Sequence, residues 1–127
     1  MRIFSIEAKD NSPEVLIDEA KSLMEIRGNS TLKDTNWFYS NVLNWMIAFN
    51  RGANKTSTLN IRLSRINDSS LKWISLICRK LVTNSPEINV EINWFIEGKS
   101  PRLLSGGKVL ERETAYRVNL ISHKEAC

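Results

Sequence analysis

The sequence predicts an α/β fold, a single mixed β-sheet covered by about three helices. Two segments, residues 59–63 and 88–97, alternate apolar and polar side chains with the period of two that is typical of strands. Two others, residues 35–50 and 71–81, repeat apolar residues every three or four positions, as amphipathic helices do. Strand–helix–strand alternation of this kind favours parallel pairing through right-handed crossovers.

The N-terminal part of the chain predicts a hairpin at the antiparallel edge of that sheet. Residues 2–7 form a short candidate first strand. The turn residues 11–13, Asn-Ser-Pro, precede a predicted strand at 14–18. A second predicted strand covers residues 22–27 and is closed by Gly28-Asn29. Two short strands joined this tightly are typical of a hairpin.

The first predicted helix is capped by Asp34 or Thr35 and runs to about Asn50. Its buried stripe consists of Phe38, Val42, Trp45, Met46 and Phe49, broadened by Trp37 and Leu43. Arg51-Gly52 ends it as a basic last turn followed by a glycine. The strand of Leu59, Ile61 and Leu63 follows and leads into the second helix.

The second helix starts within residues 68–70, with an apolar stripe that runs from Leu71 through Cys78 to Leu81, and it stops near residues 83–86. The segment 88–97 is the strongest strand by period. A weaker helix is predicted over residues 102–113, disturbed by Gly106-Gly107, and a closing strand over 117–121 precedes a polar tail.

Length and composition predict one globular domain spanning residues 1–127. The chain has 127 residues, of which 42% are hydrophobic and 25% charged. No apolar run approaches the roughly 20 residues of a membrane span, and the N-terminus lacks the apolar core of a signal peptide. Cys78 is predicted as a small core residue and Cys127 as an exposed thiol, without metal-binding or redox spacing. We therefore expect a cytoplasmic protein.

The turn at Asn67, Asp68, Ser69 and Ser70 lies where the second helix starts. The last three are good N-cap residues, and a hydroxyl there faces free backbone N–H groups and the positive end of the helix dipole. That environment stabilises added negative charge, including a phosphate. The same residues cap many helices without any switch function, and the local pattern alone favours simple capping.

The charge of the chain is concentrated around this turn. Residues 51–82 carry seven basic side chains and one acidic side chain, Asp68; the basic ones are Arg51, Lys55, Arg62, Arg65, Lys72, Arg79 and Lys80. Such a patch binds a phosphate, an acidic partner or nucleic acid, or is a solvated surface without a partner. A small nucleic-acid-binding protein using this segment is the alternative function, although only Trp73 supplies an interleaved aromatic.

Enzymatic chemistry is weakly represented in the sequence. The only histidine, His123, falls in the predicted tail, and no pair of acidic residues has a clear helical spacing. Ser69 and Ser70 have no neighbouring base, and Gly106-Gly107-Lys108 lacks the Walker spacing, so a helix break is the better interpretation. We therefore predict a binding or switch module without metal or cofactor, and not an enzyme.

Several motifs in this order resemble one bacterial family. They are Ser12-Pro13-Glu14-Val15, Gly28-Asn29-Ser30, the helix from Trp37 to Trp45, Ile66 to Ser70, and Val90 to Phe95. Across residues 12–121 the chain resembles the SiaC-type regulatory phosphoproteins, which have a STAS-like architecture. The resemblance implies phosphorylation in the turn after the central strand, by a dedicated kinase and reversed by a metal-dependent phosphatase. It also implies that the unphosphorylated form binds and activates a diguanylate cyclase, which controls biofilm formation through cyclic di-GMP.

One position departs from that family. Its turn reads Asn-Thr-Ser-Ser with threonine as the phosphoacceptor, and here Asp68 takes the place of the threonine. Asp68 then acts as a permanent, weaker substitute for phosphate, or the acceptor has moved to Ser69, or the switch is lost and a constitutive binding module remains. We favour Ser69. The basic residues Arg62, Arg65 and Lys72 are the candidates to hold the phosphate or to meet an acidic partner.

Overall fold

The computed structural model describes residues 3–51, 56–84 and 88–123. Within these residues the chain forms six strands and three helices in the predicted order. The elements are β1 (Ile3–Ile6), β2 (Glu14–Asp18), β3 (Leu23–Ser30), α1 (Thr35–Arg51), β4 (Thr56–Ile66), α2 (Asp68–Asn84), β5 (Asn89–Glu97), α3 (Pro101–Thr114) and β6 (Val118–His123). None of these helices is both long and apolar enough to cross a lipid bilayer.

The six strands form one mixed sheet in the order of the chain, which confirms the predicted α/β fold. The pairs β1–β2 and β2–β3 are antiparallel, while β3, β4, β5 and β6 are parallel to their neighbours. Because the strands advance in one direction and parallel crossovers are right-handed, all three helices lie on the same face of the sheet. There α1 packs against α2, and α2 packs against α3.

The core lies between this face and the helices. The register aligns buried or largely buried side chains in rows across the four parallel strands: Met24, Leu59, Ile92 and Val118 in one, and Ile26, Ile61, Trp94 and Leu120 in the next. The period of two that predicted β4 and β5 therefore selects the residues that the helices cover.

The opposite face of the sheet is polar along its centre. Asn119 Nδ2 donates to Asn93 Oδ1, and Asn93 Nδ2 donates to Asn60 Oδ1, each over 2.9 Å. Beside this amide ladder, the guanidinium of Arg62 lies 3.7 Å from the centre of the Phe95 ring, which is a cation–π contact.

The prediction that Gly28-Asn29 closes the third strand is wrong. Strand β3 continues to Ser30 through a register shift between Gly28 and Asn29, and Gly28 has a φ of +113°. Glycine adopts this left-handed conformation without the clash that a Cβ atom would cause, so the strand bends and goes on. Its extra residues bring Ser30 to the start of α2.

The prediction of a helix break at Gly106-Gly107 is also wrong. Helix α3 runs without interruption from Pro101, and Ser100 caps it by accepting a hydrogen bond from Leu103 N over 3.2 Å. Both glycines face Trp94 of β5. A Cβ atom on Gly107 would lie 2.8 Å from Trp94 Cδ1, so the missing side chains allow the helix to approach the sheet closely.

Of the remaining predictions, the cap of α1 is confirmed, and those for Trp45 and His123 are wrong. Asp34 caps α1 by accepting a hydrogen bond from Trp37 N over 3.2 Å, as expected. Trp45 was predicted in the buried stripe, but it is 38% exposed and packs against Phe4, with 4.2 Å between ring centroids. His123 ends β6 opposite Glu97 and so does not belong to a tail. The predictions for Gly52, residues 85–86 and Cys127 lie outside the described residues.

Cys78 belongs to the core, as predicted. Its side chain is fully buried, and this burial raises the pKa of the thiol to about 12. The thiol is therefore protonated at neutral pH and behaves as a small apolar group.

Candidate functional site

The three helices all begin at one end of the sheet. Helices α1, α2 and α3 follow the carboxyl ends of β3, β4 and β5, respectively. This edge of an α/β sheet is where ligands and partners commonly bind, and the positive ends of the helix dipoles converge there. The turn between β4 and α2 lies between the starts of α1 and α3, so the site predicted from the sequence is at the centre of this edge.

Asn67 is the N-cap of α2. Its Oδ1 accepts a hydrogen bond from Ser70 N over 2.9 Å, while its Nδ2 donates to the carbonyl of Leu32 over 2.9 Å. Its backbone N–H donates to the carbonyl of Ser30 over 3.0 Å. The prediction that Asp68, Ser69 or Ser70 caps the helix is thus corrected. Those three are the first residues of the helix, and their side chains are left for other contacts.

Asp68 forms an ion pair with α3. Arg102 Nη2 donates to Asp68 Oδ1 over 2.6 Å and also lies 3.4 Å from the carbonyl of Ile66. The Asp68 side chain is 89% exposed, and that of Arg102 is 46% exposed. A negative charge in the first turn of a helix is favourable. Asp68 therefore places a negative charge at the start of α2, and Arg102 of the neighbouring helix α3 partly offsets it.

The two serines that follow lie in opposite environments. Ser69 is exposed, and its hydroxyl donates to Asn67 Oδ1 over a long 3.4 Å. Ser70 is fully buried and accepts a hydrogen bond from Ser30 Oγ over 2.8 Å. The Ser30 hydroxyl in turn bonds to the Tyr39 hydroxyl of α1. The three buried hydroxyls tie the end of β3 to the N-terminal parts of α1 and α2.

Tyr39 is the titratable member of this cluster. Burial raises the pKa of its hydroxyl to about 12, while the hydrogen bonds with Ser30 and Ser70 act in the opposite direction. At neutral pH the tyrosine is a neutral donor that fixes the position of Ser30.

The predicted basic residues are only partly brought together. Lys72 follows Asp68 by one helical turn and lines the same groove between α2 and α3. Arg65 is exposed near the end of β4, in register with Asn29. Arg62 is placed against Phe95 on the polar face of the sheet, away from the turn.

Sequence analysis missed three residues of this site: Arg102, Ser30 and Tyr39. None of them has a local pattern that points to the turn, because each is brought there by another element. Arg102 had one usable indication, its place in the first turn of a helix that follows a neighbouring parallel strand. The convergence of such helices at one edge follows from the predicted topology.

The contacts of the two serines are short-range and polar. Neither serine is bonded to a general base, since Ser69 contacts an amide oxygen and Ser70 another hydroxyl. Within residues 3–51, 56–84 and 88–123, no group of three or more His, Cys, Asp or Glu side chains is arranged to hold a metal ion.

Comparison with known proteins decides the family. The sequence model described as "SiaC family regulatory phosphoprotein" matches residues 6–123. The chain belongs to the SiaC family. This confirms the resemblance seen in the sequence. No curated protein matches the sequence.

Solved SiaC structures share this fold. A chain from the crystal structure of the diguanylate cyclase SiaD in complex with its activator SiaC, from Pseudomonas aeruginosa, aligns with a TM-score of 0.84 at 17% identity, over 94% of this chain and 99% of that one. SiaC of P. aeruginosa aligns with 0.83 at 18% identity, over 97% and 100%. Apo-SiaC of P. aeruginosa gives 0.79 at 16% identity, over 95% and 99%.

Proposed function

We propose that this SiaC family member is a non-enzymatic signalling protein of the bacterial cytoplasm that binds a diguanylate cyclase. Negative charge at the Asn67–Ser70 turn controls this binding. The observation that carries the proposal is the Asp68–Arg102 ion pair, since it holds a charge where the family pattern has its phosphoacceptor. The complex between SiaC and the cyclase SiaD of P. aeruginosa supports the choice of partner.

Asp68 supplies the basal charge of the turn. A carboxylate carries about one negative charge where a phosphate carries nearly two, so Asp68 is a weaker substitute for the modified threonine. Arg102 neutralises part of it. The negative charge at the turn of the unmodified protein therefore lies between the charges of the unphosphorylated and phosphorylated forms of a threonine-bearing relative. A phosphate on a neighbouring residue would add to it.

Ser69 is the phosphoacceptor that we favour. Its hydroxyl is exposed and weakly bonded, whereas the hydroxyl of Ser70 is enclosed with Ser30 and Tyr39. A kinase reaches Ser69 without disturbing the fold, but it reaches Ser70 only when the first turn of α2 opens. By family resemblance, a dedicated kinase adds the phosphate and a metal-dependent phosphatase removes it.

Lys72 and Arg102 are the cations best placed to meet the phosphate or the partner. Both adjoin Asp68, Lys72 along the groove and Arg102 through the ion pair. Arg65 is an exposed further contact at the same end of β4. Arg62 contributes a contact on the polar face of the sheet instead, because Phe95 holds its guanidinium there.

Intact-mass measurement after incubation with the kinase encoded in the same gene neighbourhood tests the switch. We expect the wild-type chain and Ser70→Ala to gain one phosphoryl group and Ser69→Ala to gain none. Asp68→Thr restores the family acceptor and should be modified even when combined with Ser69→Ala. The absence of any mass gain in the wild type would mean that the switch is lost and that binding is constitutive.

Copurification with the neighbouring diguanylate cyclase tests the partner. We expect a stable complex with the unphosphorylated chain and a rise in cyclase activity on mixing. Failure of the wild-type chain to bind the cyclase contradicts the proposed function. Addition of DNA or RNA at low salt tests the alternative use of segment 51–82, since counterion release would make such binding strongly salt-dependent.

A further inference from the structure

A groove of about 600 Å³ runs between α2 and α3 at the surface. Its apolar floor consists of Leu71, Leu76 and Val109. The residues that α2 contributes extend from Asp68 to Arg79, eleven positions that span about 16 Å along the helix axis. The groove thus begins at the switch turn and is long enough for several residues of another chain.

Ser75 lies in the middle of this groove with an unsatisfied hydroxyl. The residue is 7% exposed, and its Oγ has no hydrogen-bond partner within the described parts of the chain. The buried or helical hydroxyls of Thr83 and Thr114, in contrast, each donate to the carbonyl four residues earlier over 2.9 Å. A buried hydroxyl without a partner is unfavourable, so a molecule in the groove that offers a polar atom gains a hydrogen bond there.

Two cations flank Ser75. Lys72 and Arg79 line the groove seven positions apart, about 10 Å along the helix, and neither forms an ion pair with a described residue. The two acidic lining residues each have an arginine beside them from outside the lining: Arg102 lies 2.6 Å from Asp68, and Arg112 lies 4.0 Å from Glu113. With these arginines counted, the cations around the groove outnumber the anions. The free charge of the groove is therefore positive.

We propose that the α2–α3 groove binds an acidic amphipathic segment of a partner protein. Acidic side chains about 10 Å apart pair with Lys72 and Arg79, apolar side chains cover the floor, and a polar group of the segment bonds to Ser75 Oγ. This inference rests on the proposed function and adds the chemistry of the partner to it.

The groove also explains how charge at the turn regulates binding. Asp68 forms its N-terminal end, and Ser69 is the next residue along the chain. A phosphate added at Ser69 brings nearly two further negative charges to this end of the groove, and it competes with an acidic segment for Lys72. Phosphorylation therefore weakens binding, and dephosphorylation restores it.

A synthetic probe tests the groove independently of any natural partner. The probe is a fluorescein-labelled peptide of about fourteen residues of Leu, Ala and Glu, with glutamates spaced to match Lys72 and Arg79, and its counterpart has lysine for glutamate. We expect the acidic peptide to bind the wild-type chain, and Lys72→Glu/Arg79→Glu to weaken it at least about tenfold. The control Lys80→Glu alters an exposed α2 residue outside the groove and should change the affinity less than about twofold.

Ser75→Ala supplies a second readout. We expect several-fold weaker peptide binding without a loss of folding stability, because the hydroxyl has no partner within the free chain. Equal affinity of the wild-type and double-variant chains, preference for the lysine peptide, or absence of binding overturns the proposal.

The same variants with the full-length cyclase separate the groove from the proposed function. Loss of cyclase binding in Lys72→Glu/Arg79→Glu, with binding kept in Lys80→Glu, supports both. A cyclase that binds all of these chains alike supports the proposed function and overturns the groove as its docking site. If the acidic peptide binds the wild-type chain but the cyclase does not, the proposed function is contradicted and the groove is supported.

Discussion

Arg102 Nη2 donates a 2.6 Å hydrogen bond to Asp68 Oδ1, although the two residues are 34 positions apart. The contact joins the first turn of α3 to the first residue of α2, at the edge of the sheet where all three helices begin. The net charge at the turn therefore depends on residues of both α2 and α3. A substitution of Asp68 or Arg102 therefore changes the charge at the turn, and the stability of the variant shows whether the pair also supports the fold.

Arg102→Gln should change the charge of the turn without unfolding the protein. Exposed ion pairs contribute less than about 1 kcal/mol, and both side chains here are at least 46% exposed. We expect urea denaturation to show a correspondingly small loss in the free energy of unfolding. Arg112→Gln, which removes a looser surface pair with Glu113, is the matched control. A loss much larger than that of the control would show that Arg102 has a structural role instead.

Asn67→Ala should destabilise the protein by about 1–2 kcal/mol, because it removes the cap of α2. The substitution also leaves the Leu32 carbonyl without its 2.9 Å donor. Thermal or urea unfolding measures the effect. Asn41→Ala removes a comparable amide that bonds to the Trp37 carbonyl on the exposed side of α1, and should change stability by less than about 0.5 kcal/mol. Equal effects at the two positions would contradict the assigned cap.

Tyr39→Phe should reduce the loss of stability at high pH. Below the unfolded pKa of 10.0 the tyrosine is protonated in both states and adds no pH dependence. From pH 10 to about 12 the unfolded chain releases the proton while the folded chain keeps it, so this group lowers the free energy of unfolding as pH rises. The slope is about 1.4 kcal/mol per pH unit for one group.

Urea denaturation of Tyr39→Phe and wild type between pH 8 and 11 measures this difference. The contribution of Cys78 is common to both proteins and cancels in the comparison. At pH 8 we expect the variant to be less stable by about 1 kcal/mol, since Ser30 loses a hydrogen-bond partner. Parallel pH profiles of the two proteins would show that the hydroxyl of Tyr39 does not titrate as its burial requires.

Gly107→Ala should destabilise the protein by about 1–3 kcal/mol through overpacking. The new Cβ atom would lie 2.6 Å from Leu120 Cδ2 and 2.8 Å from Trp94 Cδ1, and the Trp94 ring is held by the 2.8 Å bond from its Nε1 to the Leu103 carbonyl. Gly106→Ala is the control, because its nearest contact is a milder 3.1 Å to Trp94 Cζ2. The gain in helix propensity of about 1 kcal/mol offsets that contact. A more stable Gly107→Ala would contradict the close helix–sheet packing.

The order of elements and the type of sheet were predictable because they depend on local periodicity. The patterns that identify β4, β5 and α2 involve only residues close in sequence: a period of two in the strands and an apolar stripe in the helix. The glycines were misjudged for the converse reason. Each of these glycines resembles a break when only its neighbours are considered. Gly28 instead permits a bulge that brings Ser30 to α2, and Gly106-Gly107 permit α3 to approach Trp94 closely. In both cases the residue that is contacted is distant in sequence.

By itself, the sequence determined the mixed α/β sheet, the family resemblance and the position of the Asn67–Ser70 turn between the central strand and its helix. The tertiary structure decided what the residues of that turn do. It made Asn67 the cap, buried Ser70 with Ser30 and Tyr39, left Ser69 exposed and paired Asp68 with Arg102. The physical reason is that hydrogen bonds, burial and ion pairs depend on distances between elements, which parallel crossovers set and a local pattern does not contain.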